Sequence, residues 1–134
     1  MLRPKHAIST KLGLYSHDFN SVLLMHYPVR NIYGLPGGHV EKYEKPDDTM
    51  KREILEELTL TVDNLKRTDF FLTTGRQSRI ILAYTAIAPA DVAITPTCPA
   101  FEYGTWVSKA EITDIDMSKE YKRFVLENWP NQLP

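Results

Sequence analysis

Two adjacent glycines behind a proline, Leu35-Pro36-Gly37-Gly38, set the strongest constraint on this chain, because eight residues after Gly38 comes Pro46 and a regular apolar repeat. A Pro-Gly-Gly run suits neither a helix interior nor a central strand. It suits a backbone that turns sharply or approaches a ligand closely. Pro46 fits the first position of a helix, where its missing N–H is no loss. Asp47 and Asp48 then oppose the positive end of the helix dipole. Met50, Ile54 and Leu58 recur every four residues and make one apolar stripe. The spacing predicts a helix over 46–58, delivered to the core by a glycine bend.

The rest of the chain reads as strands on either side of that helix. Residues 5–14 have the mixed polarity of a strand. Residues 21–27, Ser-Val-Leu-Leu-Met-His-Tyr, form a continuous apolar run, the pattern of a strand covered on both faces. Pro28 ends it, and Asn31 offers a turn before Ile32-Tyr33. Residues 68–74 and 79–88 read as two β segments, with Gly75-Arg76-Gln77-Ser78 as their hairpin connection. Three prolines make 89–100 a loop, and 102–108 a last strand. A final amphipathic helix covers 118–128, with Ser118 as N-cap and Tyr121, Phe124, Val125 and Leu126 on the buried side. The order implies an α/β fold, a mixed sheet with helices against its faces, in one domain spanning 1–134.

Charge narrows the partners. The 134 residues hold 16 basic and 17 acidic side chains, for a net charge of −1. No basic surplus points to nucleic acid and no polybasic run to a membrane surface. A polyanionic small molecule would need a metal ion or a few placed cations. The lone Cys98, near Pro96 and Pro99, has no partner for a disulfide and no indicated base. With no apolar run near the roughly 20 residues of a membrane span, the expectation is a cytoplasmic protein.

The chemistry concentrates between Gly38 and Leu60. At about 100° per residue, Glu53 and Glu57 lie one turn apart on the same side, and Glu56 falls roughly 60° from Glu53. Three carboxylates on one arc repel one another, and a divalent cation would reverse that penalty. Oxygen donors without histidine or thiol suit Mg²⁺ or Mn²⁺ better than Zn²⁺. The bend at Gly37-Gly38 is placed to add a backbone carbonyl. Taken alone, three glutamates on a helix are more often a solvated face, with Arg52 pairing Glu56 at the surface.

Spacing overrides that bland reading. Gly38, five residues, Glu44, seven residues, then Arg52-Glu53-Ile54-Leu55-Glu56-Glu57-Leu58-Thr59-Leu60 resembles the Nudix box. One window would match the six fixed positions by chance on the order of once in ten million. The lead-in Tyr33-Gly34-Leu35-Pro36-Gly37-Gly38, Glu41, and the stretch from Glu102 to Trp106 are also similar to that family. One departure is Thr59, where the box has glycine. A β-branched residue resists positive φ, so the helix exit is expected to take another shape, with a shifted loop. Tyr43 replaces a glycine common before Glu44.

The resemblance implies a Nudix-type α/β/α sandwich with the box at 38–60. It implies hydrolysis of a phosphoanhydride in a nucleoside diphosphate linked to a group X. The leading expectation is a (deoxy)nucleoside triphosphate cut to monophosphate and pyrophosphate. ADP-ribose, a nucleotide sugar, an RNA 5′ end and a non-catalytic nucleotide sensor are the alternatives. Glu53, Glu56, Glu57 and the Gly37 carbonyl would hold Mg²⁺ or Mn²⁺, Arg52 would orient a glutamate, and Gly38 and Glu44 would support the substrate side. Glu53 is the first choice of general base, Glu102 the second and Asp91 the third. Arg30, Arg76, Arg79 and His39 are candidates to hold phosphates, although each also reads as a surface residue. Tyr33 and Phe70 could stack on a base, but as strand aromatics are expected in the core. His26 is expected as a satisfied core histidine. Family members are often dimers.

Overall fold

The strand at the centre, β1 (Ala7–Tyr15), alternates so that Leu12 and Leu14 enter one apolar cluster while Tyr15 enters the other. That period of two places a core on each side of the sheet. In this computed structural model, which describes residues 6–74, 78–90 and 103–131, β1 runs parallel to β6 (Arg79–Ile87) from Ala7↔Arg79 to Tyr15↔Ile87. β6 pairs antiparallel with β5 (Lys66–Thr73), with a bulge between Arg67 and Asp69. On the other side, β1 meets β2 (Ser21–Tyr27) near Tyr15↔Val22. β2 in turn pairs with β3 (Ile32–Gly34) and β7 (Tyr103–Ser108). The sheet is therefore mixed, with the path β3-β2-β1-β6-β5.

One helix covers each face. α1 (Pro46–Leu58) buries Met50, Ile54 and Leu58 against Leu12, Leu14, Leu23, Met25, Tyr84 and Ala86. Each such side chain contributes roughly 1.5–3 kcal/mol relative to exposure. α3 (Lys119–Glu127) buries Phe124 and Val125 against Tyr15, Val22, Leu24, Ile81 and Ala83. Its N-cap is Ser118, whose Oγ accepts from the Tyr121 N–H at 3.1 Å. The short α2 (Lys109–Ile112) precedes it, closed by a capping box between Ser108 and Glu111. The α/β/α layering expected from the sequence is present, as is the two-faced burial of β2.

Three expectations need correction. The glycine break is also a strand: β4 (Gly37–His39) pairs antiparallel with β1, from Ser9↔His39 to Lys11↔Gly37. Glycine is compatible with that ladder because Gly37 has φ +148, and a Cβ there would run into the Thr10 carbonyl. Thr59 does not reshape the helix exit. It adopts the left-handed cap itself, φ 52 and ψ 45, and its N–H bonds the Leu55 carbonyl at 3.0 Å. Phe70 is not core: it stands 74% exposed on β5, the last strand of the path. The expected hairpin at 75–78 and the loop from 89 lie largely outside the described residues.

Candidate active site

β4 and α1 bring the glycine bend and the glutamate row together. α1 passes under β4 with Glu53 directly beneath Gly38, so close that a Cβ on Gly38 would collide with the Glu53 carboxylate. The Gly37 N–H donates to Glu57 at 3.4 Å. Adjacent glycines are needed here for two different reasons: Gly37 for its backbone angle and its approach to β1, Gly38 to make room for a carboxylate.

Arg52 is the hub on the outer side. Its Nε donates to Glu44 at 2.9 Å and Nη2 to the other Glu44 oxygen at 3.1 Å. Nη1 donates to Glu53 at 3.0 Å and to Glu56 at 3.3 Å. Nη2 also reaches the His39 carbonyl at 3.4 Å and stands 3.6 Å from Glu41. One guanidinium thus ties α1 to the loop before it, using the fork geometry that lysine lacks. Glu44 further accepts from Thr49 Oγ1 at 2.7 Å and from the Glu41 N–H at 3.3 Å. The Arg52 and Thr49 donors hold its carboxyl at about 2. Both oxygens of Glu44 are thus engaged by the loop and helix it joins.

Glu57 is the opposite case. Burial pushes its carboxyl up to about 8, and the hydrogen bond to Glu53 and that neighbour's charge push the same way. Lys11 and the Gly37 N–H pull weakly in the other direction. Glu53 and Glu57 are therefore a close carboxyl pair, in which burial and the neighbouring carboxyl oppose ionisation of Glu57. Glu56 is turned outward toward Arg52 and is exposed. Among the described residues, no three acidic, histidine or cysteine side chains converge on one point.

The donor set suits a water-rich divalent ion. Two carboxyls in contact, the ionisation of Glu57 opposed by burial and by Glu53, sit where a divalent cation would offset their charges. Mg²⁺ keeps several waters and needs few protein oxygens, so a closed cage is not required.

The other expected residues scatter. Arg30 and Arg79 line one cleft. His39 Nδ1 is 3.0 Å from Ser9 Oγ, and the residue is exposed. His26 is buried with Nε2 2.9 Å from Asn31 Oδ1, its ring 4.6 Å from that of the half-buried Tyr33. Arg76, Asp91, Cys98 and Glu102 lie outside the described residues. Lys11 was missed in the sequence. It occupies an odd position in β1, the parity of Tyr15 rather than of Leu12, and its Nζ donates to the Leu35 carbonyl at 3.4 Å. A lysine on a strand's covered parity was the available signal.

Comparison with known proteins decides the family. The model of the NUDIX domain matches residues 13–127. The chain belongs to the NUDIX hydrolase family. That family acts on nucleoside diphosphates linked to X. The MutT protein of Bacillus halodurans is 25% identical, with a TM-score of 0.71, over 89% of this chain and 79% of that one. The NUDIX domain of Shewanella oneidensis NrtR, complexed with ADP ribose, is 17% identical at a TM-score of 0.77, covering 92% and 86%. The Escherichia coli dihydroneopterin triphosphate pyrophosphohydrolase is 16% identical at 0.75, covering 94% and 98%. No curated protein sequence matches the chain significantly. Among the described residues of this NUDIX chain, no helix is long and apolar enough to cross a membrane.

Proposed function

We propose that this NUDIX protein hydrolyses a (deoxy)nucleoside triphosphate to the monophosphate and pyrophosphate. The observation that carries the reading is the Glu53–Glu57 pair under the Gly37-Gly38 bend, locked from outside by Arg52. Mg²⁺ or Mn²⁺ held there by Glu53, Glu57, the Gly37 carbonyl and, after a rotamer change, Glu56 would neutralise phosphate charge and acidify a water. In this reading Glu53 takes the proton of the attacking water, and its bond to Arg52 at 3.0 Å supports the role by orienting the carboxylate. Water attacks phosphorus in line with the leaving pyrophosphate; one P–O bond forms and one P–O bond breaks. Arg52 and Glu44 hold the loop and helix in register.

ADP-ribose or a nucleotide sugar is the second reading. The Shewanella NUDIX domain that shares this fold was solved with ADP ribose, and substrate choice depends on loops outside the box.

The test is a phosphate-release screen with Mg²⁺ and with Mn²⁺, covering nucleoside triphosphates, ADP-ribose and nucleotide sugars, repeated with Glu57→Gln. The expected result is turnover abolished by EDTA and reduced about a hundredfold or more in the variant. Near-normal turnover by Glu57→Gln at saturating Mg²⁺ would remove Glu57 from the site. Nucleotide binding without release of product would favour a sensor.

A further inference from the structure

β5 ends the strand path, and among the described residues no strand pairs with its outer edge. An unpaired edge is a template for another strand, and folded proteins blunt it with charge, bulges or cover. β5 is blunted over one half only. Its first half carries Lys66, Arg67 and Asp69, with the bulge between Arg67 and Asp69. The second half, Phe70-Phe71-Leu72-Thr73, carries no charge and keeps a regular register. The Phe70 N–H turns to the Asp69 carboxylate at 2.8 Å instead of to a strand.

The two faces of that half differ. Phe71 packs into the core on the α3 side, its ring 6.1 Å from that of Tyr121 and 6.0 Å from that of Phe124. Phe70 and Leu72 alternate with it and lie on the face that α1 covers further along, at Tyr84 and Ala86. Register extends the exposure across three strands: Leu72 pairs with Ile80, and Ile80 with Ile8. Leu72 is 47% and Ile8 43% exposed, beside Phe70 at 74%. Scattered singly, such side chains would need no explanation; in adjoining positions on one face they mark a contact surface.

We propose that β5 pairs antiparallel with β5 of a second copy of this chain, across a two-fold axis at Phe71. Phe70 of each copy then meets Leu72 of the other, and the two sheets continue as one.

Charge favours this occupant and this direction. A net charge of −1 gives two copies little mutual repulsion. A parallel pairing would set Lys66 and Arg67 against themselves. The antiparallel one sends the two Arg67 side chains to opposite ends, about 27 Å apart at roughly 3.4 Å per residue, beyond the screening length of about 8 Å. Size sets the strength. The three exposed side chains offer on the order of 300 Å² of apolar surface per copy. With the strand edges added, the pair falls in the class below about 1,200 Å², where association is weak and reversible.

Analytical ultracentrifugation of the intact protein tests this from about 1 µM to about 500 µM, the range in which a weak pair forms. The sedimentation coefficient is expected to climb from monomer to dimer and to fall back on dilution. Phe70→Lys with Leu72→Lys should hold the chain monomeric at every concentration, since lysine blunts an edge without touching the core. Phe70→Thr with Leu72→Thr keeps the strand preference and serves if the lysines unsettle β5. Val29→Lys, at an exposed residue between β2 and β3 near the opposite end of the path, should leave dimerisation unchanged. Amide hydrogen exchange at 70–73 should slow as concentration rises. A wild type that stays monomeric throughout overturns the inference and leaves the edge to an extended segment of another protein. A dimer that survives in both double variants, or that forms with no slowing at 70–73, overturns it as well.

Discussion

Removing divalent metal should give this protein a stability that falls as pH rises from about 5 to about 8, and restoring metal should flatten it. The cause is Glu57, whose carboxyl sits at about 8 in the folded chain against an ordinary 4.5. Below pH 4.5 both folded and unfolded chains hold this proton. Between 4.5 and 8 the folded chain keeps a proton that the unfolded chain has released, so stability declines with pH. Above 8 the decline stops. A gap of 3.5 units would amount to about 5 kcal/mol at 1.36 kcal/mol per unit. Glu57 is only half-buried, and water screening of the exposed part reduces this to about 2 kcal/mol. For a domain of this size that is about 7 °C in melting temperature. The carboxyls of Glu44 and Asp47 are held low, so their own linkage falls below pH 4.5, outside the window. The assay is thermal unfolding by circular dichroism from pH 5 to 8.5, in EDTA and in excess Mg²⁺. A bound cation displaces the proton and stabilises most where the carboxyls are otherwise ionised together. Parallel profiles in EDTA and Mg²⁺ would refute the reasoning. So would a decline that persists unchanged in Glu57→Gln.

Three further outcomes follow from the same geometry. Thr59→Gly should stabilise: left-handed backbone costs an L residue about 1–2 kcal/mol, glycine loses about 0.5–1 kcal/mol in chain entropy, and the balance is a rise of about 2–4 °C by calorimetry. Gly38→Ala should fold with little change in melting temperature yet lose most turnover, because its Cβ displaces the Glu53 carboxylate; unchanged kcat would show that Glu53 has freedom to spare. Arg52→Lys keeps the charge and loses the fork, so the Glu44 carboxyl should rise from about 2 in a carbon-detected NMR titration while turnover falls about tenfold.

The parts of this molecule that were legible in the sequence share a property: a periodic or local physical cause. Met50, Ile54 and Leu58 announce α1 because a helix returns every 3.6 residues, and Pro46 fixes its start. The apolar run of β2 announces a strand buried on both faces. What the sequence hid depends on contacts between distant residues. Gly37–His39 becomes a strand only because β1 lies beside it. Glu56 shares an arc with Glu53 and Glu57 on the helix, yet Arg52 draws it outward. Phe70 has the alternation of a core strand, but among the described residues no helix covers its side of β5, and it stands exposed.

Thr59 and Tyr43 carry this one step further. Both stand where glycine is expected, and both take positive φ, 52 and 67. The backbone path is therefore set by more than local preference: α1 is fixed by its buried stripe, β4 by its ladder to β1, and the Arg52–Glu44 bonds close the loop between them. Tyr43, 94% exposed, sits in that loop beside Glu44, its ring met by the Lys42 ammonium 5.1 Å from its centroid and not buried in any core. Its strain is sustained by the Arg52 network. Weakening that network should therefore release Tyr43 first. In Arg52→Lys, hydrogen exchange at residues 41–45 should quicken before exchange in α1 does. If both accelerate together, the loop and helix are one cooperative unit and the strain at Tyr43 is held by the whole domain.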